Sequence, residues 1–380
     1  MKIWVIGRGF PVKKNNMKGS FEFEQAQMLA RHGNEVIYMA METSVRRIMD
    51  VGLFDSVINN VRALELRIPI NRLLPGTIGT KVQLKIRKYF YNKIMERYGI
   101  PDVVHVHYPA LYPFDAFKEV QDRGAKLVCT EHWTKVQNKT LGKVSIQNLK
   151  DCVQHFDNVI CVGEPLVQSI RQITGTKRQI DVVPNIVPDI FKYEKTNVAD
   201  KEHYFRFIGV GRLVKVKCFD LLIQAFAEAF KNNKNVKLDI VGGGEEYNRL
   251  KKLILETHCE DQVSLLGVMD RKIIPEYYKK CNALVMSSNL ETFGVPIIEA
   301  MASGLPVVTT DAMGFQSLFH KEHGYIVPAN DKKALAVAMR KLYDNYNKFD
   351  KEAIASYAKK YFSEDAIYME LRTIYKGDKG

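Results

Sequence analysis

Short apolar runs alternate with longer amphipathic segments along the chain, a pattern typical of β-strands joined by α-helices in a parallel sheet. The first apolar run covers residues 3–6, and a helix with apolar side chains at helical spacing follows over residues 19–32. The alternation stops at the charged stretch 192–202 and starts again at 205–210. Since 380 residues exceed one typical core, the pattern predicts an α/β protein with two domains.

The sequence LETFGVPIIEAMASGLPVVTT, residues 290–310, predicts a loop, a helix and a buried strand. Pro296 suits a first helical turn, because a missing N–H costs nothing there. Glu291 is then expected on the loop before the helix, and Glu299 about two turns inside it. A helix start offers free N–H groups and a positive dipole end to a phosphate. We expect that start at Phe293, Gly294 and Val295.

Two cations follow the apolar run 205–210 at a spacing that suits an anion. Arg212 and Lys217 lie five positions apart in a strand-to-helix loop. A guanidinium and an ammonium can converge on one diphosphate. The alternative interpretation is a pair of unrelated surface cations.

Two histidines lie at the ends of predicted strands in the first half. His107 lies near the end of the run 102–108, and His132 lies just after the run 126–130. Ligands of parallel sheets bind beyond the carboxyl ends of the strands, so both positions are suitable for a site. A lone histidine at a strand end is more often structural. The early Gly7 and Gly9 lack the third glycine of a dinucleotide-binding fingerprint, which favours simple turns there.

These residues resemble the signature of the retaining glycosyltransferases of family 4, which have the GT-B fold. That family has two glutamates separated by seven residues around a Phe-Gly turn, followed by a Gly-Pro strand. The match runs almost unbroken from Glu291 to Val308. The resemblance implies two Rossmann-like doubly wound domains that face each other across a cleft. We expect an acceptor domain over residues 1–189, a nucleotide-sugar domain over 190–360, and a helix over 361–380 that crosses back to the first domain.

The resemblance also implies roles for individual residues. His132 and Glu291 would be the catalytic residues, in contact with the donor sugar near its reacting carbon and along its ring. Glu299 would bind the ribose hydroxyls. The other donor-binding positions would be Gly19 near the diphosphate, Arg212 and Lys217 on the diphosphate, Gly267 and Val268 on the base, and the 293–295 turn. The family usually has a glycine where this chain has Cys218, which leaves the backbone of that loop in doubt.

The implied activity is transfer of a sugar from a UDP- or GDP-sugar to a glycan or a lipid-linked acceptor, in surface polysaccharide or glycolipid synthesis. Retention of the anomeric configuration would follow from front-face attack assisted by the leaving phosphate. The sequence contains no Asp-x-Asp pair, the motif with which many other glycosyltransferases hold a metal. We therefore expect no metal and no cofactor apart from the nucleotide-sugar co-substrate, with Arg212, Lys217 and the helix start stabilising the leaving group.

The positive charge is concentrated in the first half of the chain. The formal net charge is +13, and residues 1–180 hold 27 basic and 16 acidic side chains. The window from Arg62 to Arg97 is the most basic, and Val82, Ile86, Phe90, Ile94 and Tyr89 fall at helical spacing within it. This combination predicts an amphipathic helix on an anionic membrane surface. A basic helix that packs its apolar stripe on its own domain is the alternative.

Other features narrow the setting. The six cysteines are scattered, and no unbroken run of eighteen apolar residues occurs. We expect a cytoplasmic protein, peripheral on the inner face of the membrane, that binds no nucleic acid. Two other functions stay open. One is an enzyme of the same fold that acts on a small soluble acceptor or epimerises a nucleotide sugar. The other is a non-catalytic binder of nucleotide sugars or nucleic acid.

Overall fold

The computed structural model of the chain describes residues 1–10, 19–45, 51–74, 76–195 and 204–377. Parts of two predicted segments, the loop after the first strand and the charged stretch 192–202, lie outside these residues. The chain divides into two compact units. Unit 1 comprises Met1–Ile186 and Ile367–Gly380, and unit 2 comprises Val187–Ala366.

The described part of unit 1 forms an eight-stranded sheet with connecting helices. Its strands are β1 (Lys2–Ile6), β2 (Glu35–Glu42), β3 (Gly52–Ile58), β4 (Val61–Arg67), β5 (Val103–His107), β6 (Lys126–Glu131), β7 (Asn158–Cys161) and β8 (Asp181–Val182). Its helices before the chain enters unit 2 are α1 (Ser20–Arg31), α2 (Ile70–Leu73), α3 (Gly76–Tyr98), α4 (Lys118–Asp122), α5 (Thr134–Gln137), α6 (Lys143–His155) and α7 (Glu164–Thr174).

The strand order of this sheet is β3-β4-β2-β1-β5-β6-β7-β8. Each neighbouring pair is parallel except β3 and β4, which form an antiparallel hairpin at one edge. The strands β2 to β4 lie on one side of β1, and the strands β5 to β8 lie on the other, so the direction of strand addition reverses between β1 and β5. In open α/β sheets, ligands bind at such a reversal, beyond the carboxyl ends of the strands.

Unit 2 forms a six-stranded parallel sheet in the order β11-β10-β9-β12-β13-β14. Its strands are β9 (Phe205–Val210), β10 (Val236–Val241), β11 (Val263–Gly267), β12 (Ala283–Met286), β13 (Val307–Thr310) and β14 (Gly324–Val327). Its helices are α8 (Phe219–Phe230), α9 (Tyr247–Glu256), α10 (Ile274–Lys279), α11 (Val295–Ala302), α12 (Lys332–Asp344) and α13 (Lys351–Phe362). The last helix of the chain is α14 (Glu364–Lys376). Here the order reverses between β9 and β12.

Each unit has its own apolar core. In unit 2, α8 buries the face predicted from helical spacing, with Leu222, Ile223 and Phe226 fully buried against β9 and β10. In unit 1, α14 completes the core by burying Ile367 and Leu371 with the strands. Two separate parallel-sheet α/β units therefore confirm the predicted fold class.

The division of the chain differs somewhat from the predicted one. Unit 2 starts at Val187 rather than 190 and ends at Ala366 rather than 360. From Ile367 onward the chain belongs to unit 1, where the Lys126 ammonium donates to the Ile374 carbonyl at 2.6 Å. The Tyr368 ring also stacks on His32 with ring centroids 3.9 Å apart.

The basic window contains two kinds of structure rather than one. Arg62 and Arg67 lie in β4, where they pair with Asp55 and Glu65. The side chain of Arg72 lies outside the described residues. The long helix within the window is α3, where Phe90 and Ile94 are buried in unit 1. Tyr89 is 66% exposed, so its assignment to the apolar face was wrong. Its ring points away from the buried face because Tyr89 lies one position before Phe90, about 100° around the helix.

The described residues contain no helix that is long and apolar enough to cross a membrane.

Candidate active site

The two loops that flank the strand reversal in unit 2 carry five of the eleven predicted site residues. Residues 211–218 follow β9, and residues 287–294 follow β12. These two strands are neighbours in the sheet, with Leu284 opposite Ile208. The Asn289 N–H donates to the Val216 carbonyl at 3.0 Å, and the Ser287 hydroxyl donates to the Lys217 carbonyl at 2.9 Å. The fold thus brings together segments that are about 75 residues apart in sequence.

Lys217 and Glu291 form a mostly buried ion pair between these loops. The Lys217 Nζ donates to Glu291 Oε1, and the side chains are 17% and 10% exposed. The Ser288 hydroxyl donates to the same oxygen at 2.7 Å. The sequence predicts a site that contains both residues, but it does not predict this pairing. Any anion that binds Lys217 must share it with Glu291 or separate the two.

Gly294 fixes the start of α11. Its φ of 105° lies in the left-handed region, which favours glycine, and its Cβ would lie 3.0 Å from Ile297. No side chain of the described residues caps the helix here. Pro296 has no N–H, and the Ile297 N–H donates to the Gly294 carbonyl at 2.9 Å, so the N–H groups of Gly294 and Val295 are the ones that a ligand could reach. Val295 begins the helix, and Phe293 before it is 1% exposed. The predicted helix start after a glycine is therefore present, in a helix of eight residues.

Glu299 lies just over one turn inside α11, not about two turns as the sequence suggested. The difference arises because the left-handed Gly294 delays the helix until Val295. The Glu299 carboxylate is 5% exposed. Arg271 holds it: the guanidinium donates to Glu299 Oε1 from Nε at 3.0 Å and from Nη2 at 2.5 Å.

Arg271 is a candidate residue that the sequence analysis missed. It lies in the loop after β11, four positions beyond Gly267, whereas Glu299 lies on α11. The only signal in the sequence was a basic side chain beyond the carboxyl end of a predicted strand. Only the folded chain shows that this cation contacts the second glutamate.

Arg212, Gly267 and Val268 lie at the same edge of the sheet. Arg212 is exposed, and among the described residues it forms no ion pair. Gly267 has a φ of 74°, its carbonyl accepts from the Gly242 N–H at 2.8 Å, and Val268 is 80% exposed. Gly242 is required for packing, since a Cβ there would lie 1.8 Å from the Gly211 carbonyl oxygen.

Cys218, which replaces the usual glycine of the family, adopts the backbone conformation of a glycine. Its φ of 48° and ψ of 41° are left-handed, the conformation that glycine adopts without strain. The thiol contributes by donating to the Lys215 carbonyl at 3.4 Å. The loop therefore keeps a glycine-like backbone at this position, at a cost of about 1 kcal/mol.

In unit 1, Gly19 and Arg8 lie beside the strand reversal. Gly19 has a φ of 87°, and a Cβ there would lie 2.2 Å from the Gly9 carbonyl oxygen, so chain packing alone requires glycine. The Arg8 Nε donates to the fully buried Glu22 at 3.1 Å. The Arg8 guanidinium also lies over the Tyr108 ring, 3.6 Å from its centroid. Arg8 is a second cation that sequence patterns did not single out.

Three histidines form a stacked row that runs along β5 to the end of β6, namely His105, His107 and His132. The rings of His105 and His107 stack at 4.5 Å, and those of His107 and His132 stack at 5.1 Å. His107 Nδ1 and His132 Nε2 share a hydrogen bond of 2.8 Å. His105 is bonded to Tyr375 at 2.6 Å and to Thr130 at 2.7 Å. The two histidines predicted separately from strand ends thus form one unit.

The hydrogen bonds indicate which ring atoms carry protons. His107 Nε2 is buried and has no hydrogen-bond partner among the described residues. A buried N–H without a partner is rarer than a buried lone pair without one. His107 therefore carries its proton on Nδ1 and donates it to His132 Nε2. His132 carries its own proton on Nδ1, which the bond to His107 leaves available to a ligand.

Burial keeps the row uncharged. It lowers the pKa of His105 and of His132 to about 3, with the nearby Arg8 also acting on His132. It lowers the pKa of His107 as well. Burial raises the pKa of the Glu131 carboxyl to about 7, although Glu131 accepts the backbone N–H groups of His132 and Trp133.

Comparison with known proteins identifies the family. The model described as "Glycosyl transferases group 1" matches residues 191–361, and the model described as "Glycosyltransferase Family 4" matches residues 23–189. Together they cover most of the chain. The chain belongs to family 4 of the glycosyltransferases. It is therefore an enzyme with the GT-B fold, and the non-catalytic alternative was wrong.

Three known proteins illustrate what this glycosyltransferase resembles. N-acetyl-alpha-D-glucosaminyl L-malate synthase of Bacillus anthracis is 26% identical over 72% of this chain and 74% of its own length. Poly(glycerol-phosphate) alpha-glucosyltransferase of Bacillus subtilis is 23% identical over 74% of this chain but only 42% of its own length. The Anabaena protein HepE, crystallised with UDP and glucose, shares the fold with a TM-score of 0.73 at 16% identity, over 99% of this chain and 100% of HepE.

The buried histidines predict how the stability of this glycosyltransferase depends on pH. The pKa of these histidines is about 3 in the folded protein and 6.5 in the unfolded chain. The unfolded chain therefore binds protons that the folded protein does not, and the free energy of unfolding decreases as the pH falls below 6.5. At pH 5, His105 and His132 should each lower the free energy of unfolding by about 2 kcal/mol. Glu131 acts in the opposite direction. Because burial raises its pKa to about 7, the folded protein takes up this proton before the unfolded chain does, which increases the free energy of unfolding as the pH falls from about 7 to 4.5.

We expect the net free energy of unfolding, measured by denaturant titration, to fall between pH 7.5 and pH 5. His105→Gln can keep a hydrogen bond without a titrating ring, so the decrease should be smaller in that variant. Equal pH dependence in the two proteins would contradict the assignment to buried histidines.

Proposed function

We propose that this glycosyltransferase moves a sugar from a UDP- or GDP-sugar to a glycan or lipid-linked acceptor with retention of configuration. The observation that carries the proposal is the cluster of Lys217, Glu291 and the open start of α11 at the strand reversal of unit 2. A cation, a carboxylate and a helix N-terminus at one sheet edge suit a sugar diphosphate.

Each group then has a part in binding the donor. Lys217, Arg212 and the N–H groups at Gly294 and Val295 bind the diphosphate. Glu299 accepts hydrogen bonds from the ribose, and Glu291 from the donor sugar. The main chain at residues 267–268 contacts the base. Since Lys217 and Glu291 are already paired, donor binding places the diphosphate and the sugar on either side of this ion pair.

The chemistry needs stabilisation of the negative charge that develops on the leaving phosphate. The three cations Arg212, Lys217 and Arg271 exceed the two carboxylates Glu291 and Glu299 by one positive charge, and the helix dipole adds to it. We propose that these protein groups act without a metal. The leaving phosphate takes the proton of the acceptor hydroxyl while the hydroxyl attacks from the same face. His132 donates from Nδ1 to the donor sugar.

The test is donor-dependent release of a nucleoside diphosphate with candidate acceptors. A thermal-shift screen with UDP- and GDP-sugars comes first, followed by release assays in buffer with EDTA. Product NMR then gives the anomeric configuration. A donor that stabilises the protein but never yields nucleoside diphosphate with any acceptor would contradict the transfer. An inverted product, or activity abolished by EDTA, would contradict the mechanism.

The acceptor could be a small soluble molecule instead of a polymer or lipid carrier, and the relatives include enzymes of both kinds. One relative is an N-acetyl-alpha-D-glucosaminyl L-malate synthase, and the other is a poly(glycerol-phosphate) alpha-glucosyltransferase. HepE is a solved neighbour bound to UDP and glucose, which favours a UDP-sugar donor. A large acceptor is favoured by the basic first half of the chain, because polymers and lipid carriers are commonly anionic.

We also propose contact with an anionic membrane through the end of α2 and the first part of α3. Leu73 in α2 and Ile78 in α3 are 67% and 63% exposed, and Lys81 and Lys85 of α3 are exposed. The later part of α3 instead packs in unit 1, where the Tyr91 ring contacts Phe117 at 5.5 Å. The contact surface is therefore smaller than the whole window from Arg62 to Arg97.

Sedimentation with liposomes checks this contact. The protein should sediment with phosphatidylglycerol vesicles at low salt and much less with neutral vesicles. Lys81→Gln with Lys85→Gln should lower the bound fraction severalfold. The matched control is Lys251→Gln with Lys252→Gln, which changes the net charge equally in exposed positions of unit 2. An equal loss in both double variants would indicate nonspecific attraction and contradict the site.

A further inference from the structure

Arg271 connects two parts of the proposed nucleoside site. It lies in the loop after β11, which begins with the base-contacting residues Gly267 and Val268. Its guanidinium donates two hydrogen bonds to Glu299 on α11, and it is 17% exposed. The Phe191 ring lies 5.8 Å from the guanidinium. One side chain thus ties the loop that would contact the base to the helix that would contact the ribose.

We propose that Arg271 is a positioning residue, which holds the Glu299 carboxylate in the orientation that accepts the ribose hydroxyls of the donor. This inference rests on the proposed function, since it assigns the ribose to Glu299. It goes beyond that function by identifying what orients the carboxylate and what couples ribose binding to base binding.

The geometry suits positioning. Nε and Nη2 of the same planar guanidinium both point at Oε1, so the two groups are fixed in angle as well as in distance. A carboxylate offers about four acceptor positions, so binding of Arg271 is compatible with binding of a ribose hydroxyl. A lysine could supply the charge at this place but not the paired N–H groups.

The charge balance also favours this role. Glu299 is 5% exposed, and an ionised carboxylate at that depth needs a partner. With Arg271 present, Glu299 can stay ionised before the donor arrives, and a charged acceptor binds hydroxyl groups more strongly than a neutral one. The competing possibility is that Arg271 blocks Glu299 and must leave before the donor binds.

Calorimetric titration with UDP and 2′,3′-dideoxy-UDP distinguishes these possibilities, with GDP and its dideoxy form titrated in parallel. The wild type should prefer the ribonucleotide by tenfold or more. Arg271→Gln should weaken UDP binding about tenfold and leave dideoxy-UDP binding almost unchanged, so the preference for ribose should nearly disappear. Arg271→Lys should recover only part of this preference.

Lys272→Gln is the matched control, because it removes the same charge from the next, exposed position. It should bind both nucleotides like the wild type. If Arg271→Gln folds poorly, Glu299→Gln is compared with the Arg271→Gln, Glu299→Gln double variant, in which the buried carboxylate is replaced together with Arg271. These two should bind UDP equally within about twofold.

Two results would overturn the positioning role. One is Arg271→Gln binding UDP as tightly as the wild type or more tightly, as expected if Arg271 blocks Glu299. The other is an equal loss for UDP and dideoxy-UDP, which would assign Arg271 to the phosphates. If the wild type binds neither UDP nor GDP, the proposed function itself fails, and this outcome is distinct from the other two.

Discussion

Replacing His132 by alanine is expected to lower kcat by a hundredfold or more and to change donor affinity by less than about threefold. His132 Nδ1–H is the donor that we assign to the sugar near its reacting carbon. A preoriented hydrogen-bond donor close to developing charge typically contributes about a hundredfold or more to the rate. The ring is preoriented by the 2.8 Å bond to His107, by stacking on the His107 ring and by contact with the tilted Tyr108 ring.

Steady-state release of nucleoside diphosphate at saturating donor measures this effect. His155→Ala is the matched control, since His155 is an exposed histidine of the same unit. His107→Gln should give an intermediate loss, because an amide can replace the hydrogen bond to His132 but not the stacked ring. If His132→Ala kept more than half of the wild-type kcat, the assignment of this residue to the reaction would be wrong.

Lys217→Ala is expected to weaken binding of the donor diphosphate by about 2 kcal/mol, or about 30-fold in Kd. The substitution removes a charged hydrogen-bond donor from the diphosphate. It also removes the Lys217 ammonium from Glu291, which is 10% exposed and keeps the Ser288 hydroxyl. With less positive charge beside it, the Glu291 carboxylate should repel the diphosphate and lower the stability of unit 2.

Calorimetric titration of the nucleoside diphosphate, with thermal unfolding of the same samples, separates the two effects. Adding Glu291→Gln to Lys217→Ala should recover stability but not full affinity. Lys215→Ala is the control, because it removes an exposed cation from the same loop. Unchanged affinity in Lys217→Ala would refute a diphosphate role for this lysine.

Much of the fold followed from local patterns in the sequence. The restart of the alternation at 205 indicated a second sheet, and the spacing of Leu222, Ile223 and Phe226 predicted the buried face of α8. The stretch 290–310 predicted a loop, a helix beginning after a glycine, and a strand, all of which are present. These features are local because backbone conformation and burial of one face depend mainly on neighbouring residues.

The sequence was less informative where one segment contained two structures. Residues 62–67 have the same basic character as α3, yet they form the strand β4, because pairing with β2 and β3 decided their conformation. The depth of Glu299 was also misjudged, because a single left-handed glycine sets the first residue of α11. Propensity and charge are weak guides where long-range pairing or one backbone angle decides.

By itself, then, the sequence determined the α/β class, the two-domain organisation and the residues Arg212, Lys217, Glu291 and Glu299 as candidates for one site. Only the tertiary structure decided how the charged groups pair. It joined Lys217 to Glu291, Arg271 to Glu299, and His107 to His132. The reason is physical. Whether two side chains meet depends on the strand order and on where the helices begin. For residues far apart in the chain, the local sequence pattern contains no information about either.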